Sequence, residues 1–336
     1  MVGSGSPPTF CDHGAVASST GGVRSLRTRL YSLAFVDEFV PFAVLFTLWF
    51  DDNGVGVAEL SIVFVMWATA VLVLEIPSGV LADRVDRRRL LATAFVLRAI
   101  GITVWLIEPT LTGLLIGGAL WAVHEAVASG AWEALIHDEL EAVGAEREYG
   151  VVIARVGQFS NGGTAAAAVI STPLLGLGLD LAALGWLTAA MHAVSIAIVL
   201  TLPDVRWVVE RSRRAADADG AAATSARSTL RLLRQRAVGI PVLVGAFIGG
   251  LAIIDEYVPL LARGRGLDDT WIPLVFLSVW IGLLVGGEIA ARQPTIGPAV
   301  IAVLVAIGSV GTGIALVTDT IWTLPLEKFM STMTFN

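Results

Sequence analysis

Apolar runs of about 20 residues recur along this 336-residue chain, and they constrain its fold more than any other feature. A run of this length forms a helix that crosses the hydrocarbon core of a bilayer. Only 15% of the residues are charged, whereas soluble domains carry about 25%. The sequence therefore predicts an all-α, polytopic membrane helix bundle with about nine spans, at roughly 30–50, 60–82, 90–107, 111–134, 149–177, 180–202, 238–262, 271–291 and 296–318.

The basic residues lie mostly on one side of these predicted spans. Four arginines fall within residues 83–89, between the second and third spans, and eight more lie between Arg206 and Arg236. Short arginine-rich loops stay in the cytoplasm. We therefore expect a multi-pass protein of the cell (plasma or inner) membrane with a cytoplasmic N-terminus.

Hydrophilic stretches divide the chain into four parts. Residues 1–29 are rich in Gly, Ser and Thr and are predicted to be a disordered cytoplasmic tail, followed by a six-helix half over 30–202. Residues 203–236 are predicted to be a cytoplasmic linker, whose arginines either contact anionic lipid headgroups or only enforce topology. Residues 237–336 hold three predicted spans and form a partial second half.

An internal repeat supports this division into halves. The segment 32–42, SLAFVDEFVPF, recurs as GLAIIDEYVPL at 250–260, with an Asp-Glu pair and a proline in register. Parallel repeats related in this way occur in secondary transporters. The repeat predicts that the two acidic pairs occupy related helices, one in each half.

The turn between the second and third spans carries the most specific motif. Residues 79–88 read GVLADRVDRR. This resembles the loop signature of the major facilitator superfamily, G-x-L-A-D-R-x-G-R-R/K, with Asp86 in place of the usual glycine. By this resemblance a cytoplasmic gating motif comprises Gly79, Asp83, Arg84, Arg87 and Arg88.

The resemblance implies a twelve-helix secondary transporter, whereas the predicted spans stop at nine. We therefore expect a second half that lacks the last three helices. Two functions follow as alternatives. One is a secondary active transporter that couples efflux of a small organic solute to protons by alternating access; the other is a non-transporting truncated paralogue or membrane interaction subunit.

Charged residues within the predicted spans are candidates for the functional site, because ionisable groups at this depth are costly. Counted at about 1.5 Å per residue, six of them lie roughly 9–13 Å from the arginine-rich ends of their helices. The six are Asp37, Glu38, Glu75, Arg98, Glu125 and Arg155.

Pairing divides these charges into two groups. Glu75 and Arg98 are predicted to form an intramembrane ion pair, either structural or part of the transport cycle, and Arg155 is the second arginine available for pairing. Acids left without a cation bind protons more readily when desolvated. The proton-coupling and cavity candidates are Asp37, Glu38, Glu125, Asp255 and Glu256.

Several residues keep two interpretations. The acidic pairs are either functional or are solvated acids at helix kinks beside Pro41 and Pro259. His124 either relays protons or is hydrogen-bonded to Glu125. The tryptophans either line a cavity or anchor helices at the membrane interface.

Other classes of protein are not favoured. The single cysteine, Cys11, excludes an internal disulfide and a cysteine metal site, and no serine nucleophile has an evident base. We expect no enzyme activity, no cofactor, no metal and no nucleic acid. The expected partners are a small-molecule substrate, protons and the lipid bilayer, with the protein as a monomer.

Overall fold

The computed structural model describes residues 20–82, 85–203, 205 and 256–277, and these residues form helices with no β-strand among them. One short 3-10 turn lies at Glu146–Glu148. The prediction of an all-α fold is confirmed. The helices are α1 (Thr20–Asp37), α2 (Phe46–Asp52), α3 (Val57–Ala82), α4 (Arg87–Ile107), α5 (Leu111–Ala142), α6 (Tyr149–Gly176), α7 (Leu181–Leu200) and α8 (Val258–Gly264).

Helices α3 to α7 coincide with the second to sixth predicted spans to within a few residues, except that α5 continues eight residues further. Within the described part of the chain, α3, α4, α5 and α7 are long and apolar enough to cross a membrane. Helix α3 leaves Ile62, Val65 and Val73 exposed, as a lipid-facing helix does. Most of the linker at 203–236 and most of the last three predicted spans lie outside the described residues.

Helix α1 begins inside the segment that was predicted to be a disordered tail. Residues 1–29 were expected to be disordered, yet α1 begins at Thr20. Leu26, Leu30 and Leu33 lie one helical turn apart and are buried, because this face of α1 packs against α6. The arginines between these leucines lower the mean hydropathy of the segment. A search for continuous apolar runs therefore does not recognise it as a helix.

Small residues set the close helix contacts. A Cβ atom at Gly163 of α6 would lie 2.2 Å from the backbone oxygen of Phe35 in α1. A Cβ atom at Gly101 of α4 would lie 3.0 Å from the backbone oxygen of Gly117 in α5. Glycine lets membrane helices approach closely. Gly163 therefore allows α6 to pack closely against α1.

Buried side chains form a core at each end of the bundle. At the end where Arg87–Arg89 begin α4, called here the arginine-rich end, the core lies between α1, α4, α5 and α6. At the opposite end, where α2 finishes, Phe50 and Leu60 of the first half share a core with Ala262 and Ile272 of the second. The two halves are therefore packed together at this opposite end.

Candidate functional site

The first span is interrupted between α1 and α2, at residues 38–45. Turns within the segment satisfy several of its backbone groups, and other helices satisfy two more. The Phe42 amide donates to Thr188 Oγ1 at 3.0 Å, and Ser171 Oγ donates to the Pro41 oxygen at 3.4 Å. Non-helical backbone persists at membrane depth only where protein buries it or where it lines a cavity. The kink expected near Pro41 is thus a full interruption, held in place by α6 and α7.

Arg98 of α4 binds the acidic pair at this interruption. Its Nη1 lies 3.3 Å from Asp37 Oδ1 and 3.9 Å from Glu38 Oε1, and donates to the Asp37 backbone oxygen at 3.5 Å. The Arg98 side chain is 6% exposed, that of Asp37 18% and that of Glu38 37%. Because α1 ends at Asp37, Arg98 also lies at the negative end of the helix dipole. One buried guanidinium is therefore shared by two carboxylates of unequal exposure.

Two buried histidines surround this group. Nδ1 of His192, a fully buried residue of α7, lies 3.8 Å from Asp37 Oδ1, so Asp37 sits between Arg98 and His192. Neither His192 ring nitrogen has a hydrogen-bond partner among the described residues. His124 Nδ1 is 3.0 Å from the Ala94 backbone oxygen. Of the alternatives for His124, a hydrogen bond to Glu125 is therefore not observed.

Aromatic rings extend from Arg98 towards the opposite end. The guanidinium carbon lies 4.5 Å from the centre of the Trp121 ring, a cation–π arrangement. Trp121 stacks on Trp105 at 5.3 Å, and Trp105 stacks on Phe46 at 5.0 Å. These tryptophans face the interior of the bundle, so the interface-anchor interpretation is wrong for both.

A cavity of about 50 Å³ lies beside this stack, between the two halves. Glu256, in the turn before α8, forms part of its wall. Glu125 of α5 lies one helical turn from Trp121, another wall residue, and interacts electrostatically with Glu256. A carboxyl of the second half thus lies in the cavity wall, and a carboxyl of the first half lies one helical turn from that wall. Its lining is Ala43, Phe46, Val63, Phe64, Trp67, Trp105, Leu114, Gly118, Trp121 and Glu256.

At the opposite end a second arginine joins the halves. Arg263 of α8 donates to Asp52 at 2.6 Å and Asp51 at 3.3 Å, both in α2, and to Asp269 in its own half at 2.5 Å. The hydrogen bond to Asp269, and to a smaller extent the one to Asp52, raises the pKa of Arg263 above its usual value. The guanidinium therefore stays charged. We call these four residues the Arg263 cluster.

A tyrosine contact lies between this cluster and the cavity. Tyr257 OH is 2.7 Å from Ser61 Oγ of α3. The Tyr257 ring meets the Phe64 ring edge to face, with 5.3 Å between the ring centres. The described parts of the two halves are therefore in direct contact from the cavity to the opposite end.

Comparison with known proteins identifies the family. The model of the Major Facilitator Superfamily matches residues 30–335. This chain belongs to that superfamily. Its members are transporters rather than enzymes, and the chain is accordingly a multi-pass membrane protein.

Individual relatives agree with this assignment. The inner membrane transport protein YajR of Escherichia coli (strain K12) is 27% identical over 183 residues, which are 54% of this chain and 37% of that protein. The match thus spans little more than a third of YajR.

Solved structures show the same fold. A mutant of the nucleoside transporter NupG superposes with a TM-score of 0.72 at 15% identity, over 92% of this chain and 80% of that one. A D-xylose-proton symporter gives a TM-score of 0.63 at 16% identity, over 94% and 80% respectively.

The loop motif departs from the superfamily pattern at Asp86, and the structure shows what this residue does. Asp86, where the family usually has glycine, caps α4 by accepting hydrogen bonds from the amides of Arg88 at 3.0 Å and Arg89 at 3.2 Å. Arg87 binds Asp138 of α5, and Arg88 donates to the Leu202 backbone oxygen at 2.6 Å. The motif arginines therefore tie the loop to α5 and to the end of α7.

The other motif positions are only partly described. Gly79 of α3 faces Gly130 of α5, where an added Cβ atom would lie 3.6 Å from the Gly79 Cα. Asp83 and Arg84 of the gating motif lie outside the described residues, as does Asp255.

The predicted intramembrane pair of Glu75 and Arg98 is not formed. Glu75 lies on an exposed face of α3, and Arg98 binds Asp37 and Glu38 instead. The interruption of the first span places α1 against Arg98, which helix-depth counting does not reveal. Arg155 is exposed and donates to Gln158, one turn along α6, at 2.8 Å. Its side chain thus points away from the charged group.

Two buried polar residues, His192 and Asp138, were not among the candidates predicted from the sequence. His192 was overlooked, although a histidine within an apolar 20-residue run is itself a signal. The fourth predicted span ends at residue 134, so Asp138 lay outside it and was not a candidate. Helix α5 continues to Ala142, which brings Asp138 under Arg87 in a site where its side chain is 7% exposed.

Proposed function

We propose that this protein is a secondary active transporter of the plasma or inner membrane, which exports a small organic solute in exchange for protons. The observation that carries the proposal is the sharing of one buried arginine, Arg98, by Asp37 and Glu38 at an interrupted helix. Interrupted helices form the solute and ion sites of many secondary transporters. Its membership of the superfamily supports the same class of function.

The shared arginine provides a mechanism for proton exchange. A guanidinium that moves towards one carboxylate leaves the other without its counter-charge, and an unpaired desolvated carboxyl takes up a proton. Asp37 also has His192 beside it, whereas Glu38 is the more exposed of the pair. We assign Glu38 to exchange with solvent or solute and Asp37 to the Arg98 contact. Glu125, Asp255 and Glu256 remain further proton-coupling candidates.

In an alternating-access cycle, each end of the bundle acts as a gate. With the arginine-rich end in the cytoplasm, as the positive-inside rule requires, the Arg263 cluster and Tyr257 close the outer side. The motif residues Gly79, Asp83, Arg84, Arg87 and Arg88 form the cytoplasmic gate. Rocking of one half against the other exposes the cavity to each side in turn. We take the functional unit to be a monomer in the lipid bilayer.

Everted membrane vesicles test the proton role. The vesicles are acidified inside, loaded with a pH-sensitive dye and offered a panel: uridine, D-xylose, dialanine, an aromatic carboxylate and an aromatic quaternary cation. An exchanged solute discharges the pH gradient in wild-type vesicles. The double variant Asp37→Asn/Glu38→Gln is expected to lose at least nine tenths of that discharge, because an amide carries no exchangeable proton.

The matched control is Glu108→Gln, an acid-to-amide change at an exposed position outside the site. It should discharge the gradient at the wild-type rate. Equal discharge by the double variant and the wild type would exclude Asp37 and Glu38 as proton carriers. Solute uptake with no change in the pH gradient would exclude proton exchange altogether.

A further inference from the structure

The aromatic cavity between the two halves is selective in its chemistry. Its walls present the rings of Phe46, Phe64, Trp67, Trp105 and Trp121, and its charged wall residue is a carboxylic acid, Glu256. The Trp105 indole N–H is already donated to the Leu114 backbone oxygen at 3.3 Å. The lining therefore offers aromatic faces and negative charge.

The described wall residues do not supply the groups that other solutes need. Sugars and nucleosides require several hydrogen-bonding side chains, and carboxylates or phosphates require a cation. Among the described wall residues there is no Arg, Lys, Ser, Thr, Asn or Gln. Polar neutral solutes and anions would leave their hydrogen-bonding groups unsatisfied in this cavity, which costs free energy.

The charge count points in the same direction. Four carboxyl groups, those of Asp37, Glu38, Glu125 and Glu256, gather at and below the cavity. Among the described residues, Arg98 is the arginine or lysine that lies close to these carboxyls. It forms ion pairs with Asp37 and Glu38.

The carboxyls of Glu125 and Glu256 therefore have no ion-pair partner among the described residues. Glu256 lies in the cavity wall and Glu125 lies one helical turn from the wall residue Trp121, so each carboxylate increases the negative potential at the other. A positive charge bound between them would be attracted by both.

We propose that this cavity binds an organic cation with a flat aromatic body, whose charge lies between Glu125 and Glu256 and whose ring stacks on the tryptophans. Aromatic faces attract cations, and the attraction grows when water is excluded. The inference rests on the proposed transport function and adds the substrate class to it.

The size of the cavity sets one condition on this binding. Its volume of about 50 Å³ is well below the roughly 300 Å³ of ordinary ligand pockets. A solute therefore enters when α8 moves away from α3, which separates Tyr257 from Ser61 and Phe64. The same movement opens the opposite end.

Binding to the full chain in detergent tests the substrate class directly. The probe is 1-methyl-4-phenylpyridinium chloride, measured by equilibrium dialysis at pH 8. The matched probes are 4-phenylpyridine, the same ring system without charge at that pH, and 4-biphenylcarboxylate, an anion of similar shape. We expect the cation to bind at least tenfold more tightly than either. Equal or tighter binding of the neutral or anionic probe overturns the proposal, and this arm needs no mutant.

Variants then locate the site. Glu256→Gln and Glu125→Gln should each weaken binding of the cation about tenfold, or about 1.4 kcal/mol, while binding of 4-phenylpyridine stays the same. Glu108→Gln, outside the cavity, should bind like the wild type. Wild-type cation affinity in both cavity variants overturns the location.

The proposed transport function fails separately. In that case the cation binds as expected, but neither it nor any other panel member discharges the pH gradient of the vesicles. Conversely, discharge by uridine or D-xylose with no cation binding leaves transport in place and removes the substrate class.

Discussion

Arg98 and Arg263 are each surrounded by carboxylates, yet they lie in different surroundings. Arg98 is buried in the first half, where its Asp37 and Glu38 partners belong to the same half. Arg263 is 25% exposed at its side chain and binds Asp51 and Asp52 across the halves. One cluster therefore holds a helix interruption together, and the other holds two halves together.

The difference in exposure decides what each cluster contributes. Removing one partner of a buried ion pair costs about 3–5 kcal/mol, because a charge stays buried without compensation. Exposed pairs contribute about 0–1 kcal/mol each. Arg98 should therefore be needed for folding, whereas Arg263 should shift the balance between conformations that are both folded.

The largest expected effect tests the first part of this comparison. Arg98→Ala should destabilise the purified protein by about 3–5 kcal/mol and lower its melting temperature strongly, because Asp37 and Glu38 lose their cation. Thermal unfolding in detergent measures the change. Adding Asp37→Asn to Arg98→Ala should recover part of the loss, since one buried charge is removed.

Arg155→Ala is the matched control for that experiment. Arg155 is exposed and bonded to Gln158 in its own helix, so its loss should stay within about 0.5 kcal/mol. If Arg98→Ala is no less stable than Arg155→Ala, the buried pairs do not hold the interruption.

A smaller effect is expected at the opposite end. Arg263→Gln should leave the melting temperature nearly unchanged but open the cavity more often. A reporter cysteine is introduced as Ala43→Cys, at the cavity wall, in a Cys11→Ser background. Loss of about 1–2 kcal/mol from the cross-half pairs should raise its labelling by an impermeant thiol reagent about 5- to 30-fold.

The control keeps Arg263 and removes its partner within the second half. Asp269→Asn removes the Arg263 partner within the second half, while Asp51 and Asp52 remain. It should raise labelling less than Arg263→Gln does. Equal labelling rates in Arg263→Gln and the unmodified reporter would show that the cluster does not hold the halves together.

The sequence predicted the two regions unequally. Asp37 and Glu38 were found from the rarity of acids in apolar runs and from the repeat, and Arg98 from the same rule. Their pairing could not be predicted, because counting depth along continuous helices cannot show where a helix breaks. The interruption is decided by tertiary contacts from Ser171 and Thr188, which replace the helical hydrogen bonds.

The opposite end gave little signal. Asp51, Asp52 and Arg263 read as ordinary loop charges, and their 211-residue separation in sequence hides the contact between Asp52 and Arg263. Helix bounds were predicted well where apolar runs end in polar turns. They failed at α1 and α5, where amphipathic turns extend the helices beyond the apolar run.

The smallest effect expected separates the clusters by salt. At 1 M NaCl the screening length falls to about 3 Å, from about 10 Å at 0.1 M, so exposed pairs weaken and buried ones hardly change. Labelling of the Ala43→Cys reporter should rise about two- to fivefold between these salt concentrations, and the rise should vanish in Arg263→Gln, which lacks the ion pairs to Asp51 and Asp52. A salt-dependent rise of equal size in both proteins would mean that the halves are held by something other than Arg263.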